Sequence, residues 1–355
     1  MNKIKLIFIG LGVALLIVLG IMYPKIWQAN TNFSKKDQLI FIPTNAKYDA
    51  VLDTLKRYDV LKNTTSFNNY AFFKNYKENI KSGAYLIKKD MSNSAMIDML
   101  QKGLQQPIKV TFNTARTKDD LIKLFSKKLE LTPEDFTIAM NDPTLFQKYE
   151  LSKETSNLLF LPNTYEFYWN SSPKTVITTI GKYYDAFWTL ERKKQAQSIN
   201  LSPKEVGILA SIVQSESNKE DEQPIVAGVY INRLRQKMKL QADPTVIYAI
   251  GDFTINRVLK SMLSYDSPYN TYKYEGLPPG PITTPNQKAI DAVLYYQQND
   301  YIFFCAKEDF SGYHNFASTN AEHEKNAQKY QEALTIYLRK KKEKEKILKN
   351  ELNHE

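Results

Sequence analysis

The chain has 355 residues, 43% hydrophobic and 12% aromatic, with a formal net charge of +10, which is enough length for two domains with real cores. A single cysteine, Cys305, excludes an internal disulfide, and three histidines (His314, His323, His354) without a second cysteine give no zinc spacing, so neither a metal nor a cofactor is expected. The positive charge is scattered lysine with one concentration at Lys340–Lys349; no helix-turn-helix, finger or RNP-like pattern accompanies it, which sets nucleic acid aside in favour of anionic lipid head groups or an anionic wall polymer.

Residues 6–23, LIFIGLGVALLIVLGIMY, are 18 consecutive uncharged and mostly apolar residues preceded by Lys3 and Lys5. That run is near the lower limit for spanning a bilayer. No small-x-small cleavage site follows, so the pattern predicts an uncleaved signal anchor, with a cleaved signal peptide as the alternative; the anchor puts residues 1–5 in the cytoplasm and the bulk of the chain outside the cell membrane. Residues 24–37 form a polar tether. Strand patterns then fall at Leu39–Pro43, Gly83–Ile87 and Ile108–Phe112. Between them lie a helix carrying Val51, Leu52 and Leu55, and a helix capped by Ser92 and closed by Gly103. Thr117 caps the next, with Leu121, Leu124 and Phe125 apolar. Aligning Ala46 with Ala115 brings Leu52 over Leu121 and Leu55 over Leu124, a loose strand–turn–helix repeat.

Thr132-Pro133-Glu134-Asp135 starts a helix that Asp142-Pro143 breaks. Residues 157–169 (NLLFLPNTYEFYW) are dense in aromatics, reading as a cleft wall, a buried seam or both. Ser172-Pro173 opens a long amphipathic helix to about Asn200. Ser202-Pro203-Lys204-Glu205 combines an N-cap serine, proline at the first helical position and a capping-box glutamate. A further helix begins near Pro224, and Asp243-Pro244 caps a short one ending at Gly251. Residues 264–285 contain five Pro, two Gly and four Tyr and predict a long irregular loop, a feature that in compact domains is usually functional. A helix over 286–298, a strand over 301–306 with Cys305 as a buried thiol, and a helix over 321–350 ending in a Lys/Glu run complete the chain.

The chemistry centres on Glu216. Val206, Leu209, Ala210 and Val213 recur at helical spacing, and the same stripe three residues on meets Glu216. A carboxyl on a core-facing stripe is costly unless paired or protonated, and desolvation raises its pKa, as a general acid near neutrality requires. A structural ion pair with Arg233 or Arg235 is the alternative. Position 214 is Gln, so the helix offers no second carboxylate, and ordinary glycoside hydrolysis wants two. Asp243 is the next candidate, though its place before Pro244 suits an N-cap.

Five separated segments, Leu209–Ser217, Val229–Leu234, Leu240–Tyr248, Tyr269–Tyr272 and Gly276–Ile282, stand in the order seen in the endolytic murein transglycosylases (MltG, or YceG-like), which the chain resembles. Tyr313-His-Asn-Phe316, Thr319 and Glu322-His323 are similar to that family's C-terminal signature. The resemblance is strong over about 155–335 and looser before it. It implies an α+β fold: an N-terminal transmembrane helix, a small LysM-like α+β module over 38–130, a larger mixed α+β catalytic domain over 131–335, and a charged helical tail over 336–355. It further implies a single-pass inner-membrane enzyme with an extracytoplasmic (periplasmic) active site. Such an enzyme cleaves peptidoglycan strands between MurNAc and GlcNAc, leaves 1,6-anhydro-MurNAc ends and terminates strand elongation beside the peptidoglycan synthases.

Glu216 stands at the family's catalytic glutamate, acting first as acid and then as base. Gln241, Tyr248, Asn270 and Tyr272 are candidates to hold sugar hydroxyls and acetamido groups, with loop-stabilising hydrogen bonds as their alternative. Asn232 reads as structural. The sequence departs from the family pattern at Gln214, where Glu is frequent, and at Asn157–Asn163. Two rivals remain: a non-catalytic peptidoglycan-binding scaffold for the synthases, and a hydrolytic muramidase that leaves a reducing end.

Overall fold

The computed structural model describes residues 3–33 and 36–352, without the side chains of residues 3–6, 15, 18, 19, 21 and 346–352; His354 therefore lies outside the described residues. The chain divides into two compact units. One comprises 1–110, 123–136 and 164–176, and the other 111–122, 137–163 and 177–355.

The first unit begins with α1 (Lys3–Trp27), whose Ile7, Phe8, Ile9, Leu11, Val13, Leu16 and Ile17 are exposed. The membrane span expected over 6–23 falls in part on side chains outside the described residues. Among the described residues no helix is long and apolar enough to cross a membrane. The end of α1 is fastened to the unit by Asn93, which donates to the Lys25 carbonyl at 2.7 Å and accepts from Asn30 at 2.7 Å.

Strands β1 (Gln38–Ile42) and β2 (Gly83–Ile87) pair antiparallel, Gln38 opposite Ile87 and Ile42 opposite Gly83. Their inward residues meet α2 (Tyr48–Arg57), α3 (Thr64–Phe73) and α4 (Asn93–Lys102) in a core that includes Ile40, Val51, Leu55, Phe67, Tyr85, Met96 and Leu100. Each such fully buried side chain contributes about 1.5–3 kcal/mol. The local signals act as the sequence suggests: the Ser92 hydroxyl accepts from the Ala95 N–H, and Gly103 closes α4 at φ +70°. Helix α3 was not expected; Asn63 caps it through Ser66 N–H, and its two-sided apolar pattern hides the helical period. Further along are β3 (Ile108–Phe112), α5 (Lys118–Lys128), α6 (Pro133–Met140) and β4 (Asn163–Phe167), β3 and β4 forming a second two-stranded sheet. Phe125 packs edge-on against Phe136 and Phe167.

The long helix expected from Pro173 to about Asn200 is two helices, α7 (Pro173–Phe187) and α8 (Leu190–Ser198). Thr189 adopts extended backbone and its hydroxyl accepts from the Arg192 N–H at 3.3 Å, so a side-chain cap starts a new helix at a break that neither glycine nor proline marks.

The second unit is organised around α9 (Pro203–Glu216). Ser202 and Glu205 form the expected capping box. Every residue from Val206 to Val213 is buried, because α8, α10 (Gln223–Arg235), α11 (Asp243–Ile250) and α12 (Gln287–Leu294) all pack on it. The helix thus has no solvent face along that stretch; the single stripe read from the sequence understates its burial. A hairpin, β5 (Phe303–Ala306) and β6 (His314–Ala317), and a terminal helix, α13 (Asn320–Leu352), complete the unit.

Candidate active site

Helix α9 ends at Glu216 because Ser217 turns to extended backbone (φ −133°, ψ 127°). The turn that follows is tied internally. The Ser217 hydroxyl donates to Glu222 Oε2 at 2.9 Å, and the Gln223 amide donates to the Ser217 carbonyl at 2.9 Å. Glu216 therefore projects from a fixed helix terminus, and a reacting group needs that rigidity to hold its geometry.

Glu216 opens onto a cleft of about 470 Å³ lined by Tyr230 and Arg233 of α10, Gln241 and Asp243, Tyr272 of the Pro-rich loop, Phe304 and Cys305 of β5, and His314 of β6. The Tyr230 hydroxyl donates to Glu216 Oε1 at 2.7 Å. Burial pushes the Glu216 carboxyl up to about 7; the Tyr230 bond pulls it down in part, and the negative field of Asp243 adds to the rise. Near neutrality the group is thus poised both to give and to take a proton. Among the described residues no cation is paired with Glu216. Arg233, offered above as its structural partner, instead donates to the carbonyls of Ile302 (2.6 Å), Lys239 (2.9 Å) and Leu240 (2.9 Å), and to Gln241 Oε1 at 3.2 Å.

The remaining sequence candidates divide between two places. Gln241 and Tyr272 line the Glu216 cleft. Gln241 takes positive φ (+54°) and is held by Arg233. The Tyr272 hydroxyl donates to Asp243 Oδ1 at 2.6 Å. Tyr248 belongs to a neighbouring cleft and packs on Tyr269, ring centroids 4.8 Å apart. Asn270 is fully buried, donates to the carbonyls of Leu263 and Tyr265, and accepts from the Tyr272 N–H, which is the loop-stabilising alternative weighed for it.

Asp243 is a correction: the N-cap of α11 is Ala242, and Asp243 sits in the first turn with its carboxylate toward Tyr272. Cys305 is a second, being part-exposed on the cleft wall where a buried thiol was expected. Gln214 uses both ends of its amide, the nitrogen at the long distance of 3.5 Å. Its oxygen accepts from the Asn286 N–H at 2.7 Å and its nitrogen reaches the Thr284 carbonyl, fastening the end of the Pro-rich loop. Asn232 donates to the carbonyls of Asn299 and Tyr301, holding the approach to β5.

The sequence did not single out Tyr230 or the pair formed by Glu222 and His314. Glu222 is 3% exposed and accepts from the His314 backbone N–H at 2.7 Å, with its other oxygen 2.8 Å from the ring Nδ1. The imidazole is thereby oriented with one nitrogen on a buried carboxylate while the ring lines the cleft. A histidine and a glutamate 92 residues apart carry no sequence signal of their meeting.

Several known proteins are similar to this chain. The endolytic murein transglycosylase of Bacillus subtilis is 30% identical over 319 residues, covering 84% of this chain and 86% of that protein. The endolytic murein transglycosylase of Streptococcus pneumoniae (strain R6) is 28% identical over 323 residues, covering 82% of this chain; the chain spans 58% of that longer relative. A crystal structure of a yceG-like protein from Listeria monocytogenes has a TM-score of 0.55 at 28% identity, over 82% of this chain and 99% of that one. Residues 40–329 match the YceG-like family, and the chain belongs to that family.

Proposed function

We propose that the protein is a membrane-anchored lytic transglycosylase that cuts peptidoglycan glycan strands endolytically between MurNAc and GlcNAc. The observation that carries this reading is Glu216: one carboxyl with its pKa raised to about 7, bonded to a tyrosine hydroxyl in an open cleft. As the acid, Glu216 gives its proton to the glycosidic oxygen as the bond to the muramyl C1 breaks. As the carboxylate, it then takes the proton of the muramyl 6-hydroxyl, whose oxygen bonds to C1. The products are a free GlcNAc hydroxyl and a 1,6-anhydro-MurNAc end, and no water is consumed. The attacking hydroxyl belongs to the substrate, so positioning replaces a bimolecular encounter. Tyr230 stabilises the carboxylate form between the two steps. Gln241 and Tyr272 hold the sugars flanking the scissile bond.

Residues 6–23 serve as a single-pass inner-membrane anchor, and residues 38–130 as a LysM-like module that retains glycan. Anchoring confines cutting to the layer where new strands leave the synthases, and so limits their length.

A hydrolytic reading has one observation in its favour: Asp243 lies in the same cleft, close enough to raise the Glu216 pKa, and could activate water as a second carboxylate. Digesting uncrosslinked strands in heavy-oxygen water separates the two. New anhydro ends without the heavy isotope support the transglycosylase; reducing ends carrying it refute that reading in favour of a muramidase.

A further inference from the structure

A second cleft of about 420 Å³ lies beside the Glu216 cleft. The two share a ridge. Ser215 and Pro244 line the second, while their sequence neighbours Glu216 and Asp243 line the first. A linear glycan cut at Glu216 must continue past the scissile bond, and the far side of this ridge is open to it. The second cleft offers what a sugar needs: the rings of Tyr248 and Phe253 for apolar faces, and the amides of Asn218 and Asn256 for hydroxyls.

It also holds one group that a neutral sugar does not need. Arg116 is exposed, and it is the single charged side chain among the described residues of the lining. Its guanidinium lies over the Phe253 ring at 5.0 Å, a cation–π contact that does not use its N–H groups as hydrogen-bond donors to a charged partner and leaves them for a ligand. Among the described residues no carboxylate forms an ion pair with it. The segment bearing it is clamped: Ala115 N–H donates to the Thr284 hydroxyl and Thr284 N–H to the Ala115 carbonyl, both at 2.8 Å. Gln214 of α9 fastens the same loop one turn further on, through Asn286. The cation is thus presented from the scaffold that carries Glu216.

We infer that this cleft takes the glycan strand beyond the cut and that Arg116 binds a carboxylate of the peptide stem borne there. The strand's sugar rings are neutral apart from their stems, so a free, planar, bidentate donor in the groove selects the stem carboxylate. The enzyme accordingly prefers strands that still carry stems, which is the state of newly made material. The inference depends on the enzyme reading above and adds a specificity to it.

The test uses the full chain with two substrates, uncrosslinked strands with intact stems and the same strands stripped of stems by an amidase, with the lactyl carboxylates that the amidase frees capped as neutral amides. Wild type, Arg116→Gln and Arg116→Lys are compared for kcat/KM and for strand binding. The ratio of stem-bearing to stripped kcat/KM should fall about ten-fold in Arg116→Gln, mainly through KM, and recover in part in Arg116→Lys. An unchanged ratio, or an equal loss on both strands, overturns the proposal. Binding keeps this separate from the reaction itself: if wild type cuts neither strand, the enzyme reading fails. A loss of affinity confined to stem-bearing strands would still uphold the carboxylate site.

Discussion

The Tyr230 hydroxyl donates to Glu216 Oε1 at 2.7 Å, joining the end of α9 to the middle of α10 at the floor of the cleft. That bond favours the ionised carboxyl, while burial and Asp243 favour the neutral one, and the balance leaves Glu216 at about 7. Two substitutions should therefore move its titration in opposite directions. Tyr230→Phe removes the stabiliser of the anion and raises the pKa. Asp243→Asn removes a negative neighbour and lowers it. Because protonated Glu216 is the acid, the alkaline limb of kcat/KM against pH reports this group. It should shift upward by about one unit in Tyr230→Phe and downward in Asp243→Asn. Shifts of the same sign in both variants would contradict the assignment.

The raised pKa also has a stability consequence. A carboxyl near 4.5 when unfolded and near 7 when folded binds more protons in the folded state between those values. The folded protein is then destabilised as pH rises through that window, by at most about 3 kcal/mol above it. Glu216→Gln removes this cost. Its Tm should match that of wild type below the window and exceed it above, as read by thermal melts across pH.

Arg233 holds the cleft wall through three carbonyls and Gln241. Lysine offers no planar fork to span them. Arg233→Lys should cost about 2 kcal/mol in denaturant unfolding, with KM rising as Gln241 loses its support.

Gly280 in the Pro-rich loop sits where an added Cβ would collide with the backbone carbonyl of Glu154. Backbone cannot rotate away as a side chain can, so Gly280→Ala should destabilise by about 1–3 kcal/mol. Thermal unfolding of the variant checks this. A melt identical to that of wild type would mean the loop has room there.

How much of this was legible in the sequence depended on the distance over which each interaction acts. The Ser202–Glu205 capping box and the Ser92 and Gly103 ends of α4 are local, and the structure has them as the residues suggest. Glu216 stood out because a carboxyl interrupted an apolar helix. The depth of α9's burial did not, since it is set by four other helices. Asp243 before Pro244 satisfies the local pattern of a cap; the tertiary contact with Tyr272, 29 residues on, decides its actual place. Thr189 breaking α7 from α8 was hidden because neither glycine nor proline marks the break. Tyr230, the carbonyl partners of Arg233 and the Glu222–His314 pair become visible only when the helices and the hairpin are packed together.

The most direct test of the central claim is the product spectrum of the full chain and of its Glu216→Gln form on uncrosslinked glycan strands, read by mass. Anhydro-ended fragments from the wild type and none from Glu216→Gln, with strand binding and folding intact in both, are the expected result. Anhydro-ended fragments from Glu216→Gln at the wild-type rate would show that another group does the proton transfers. Binding without fragments from either protein would show a glycan-holding scaffold instead of an enzyme.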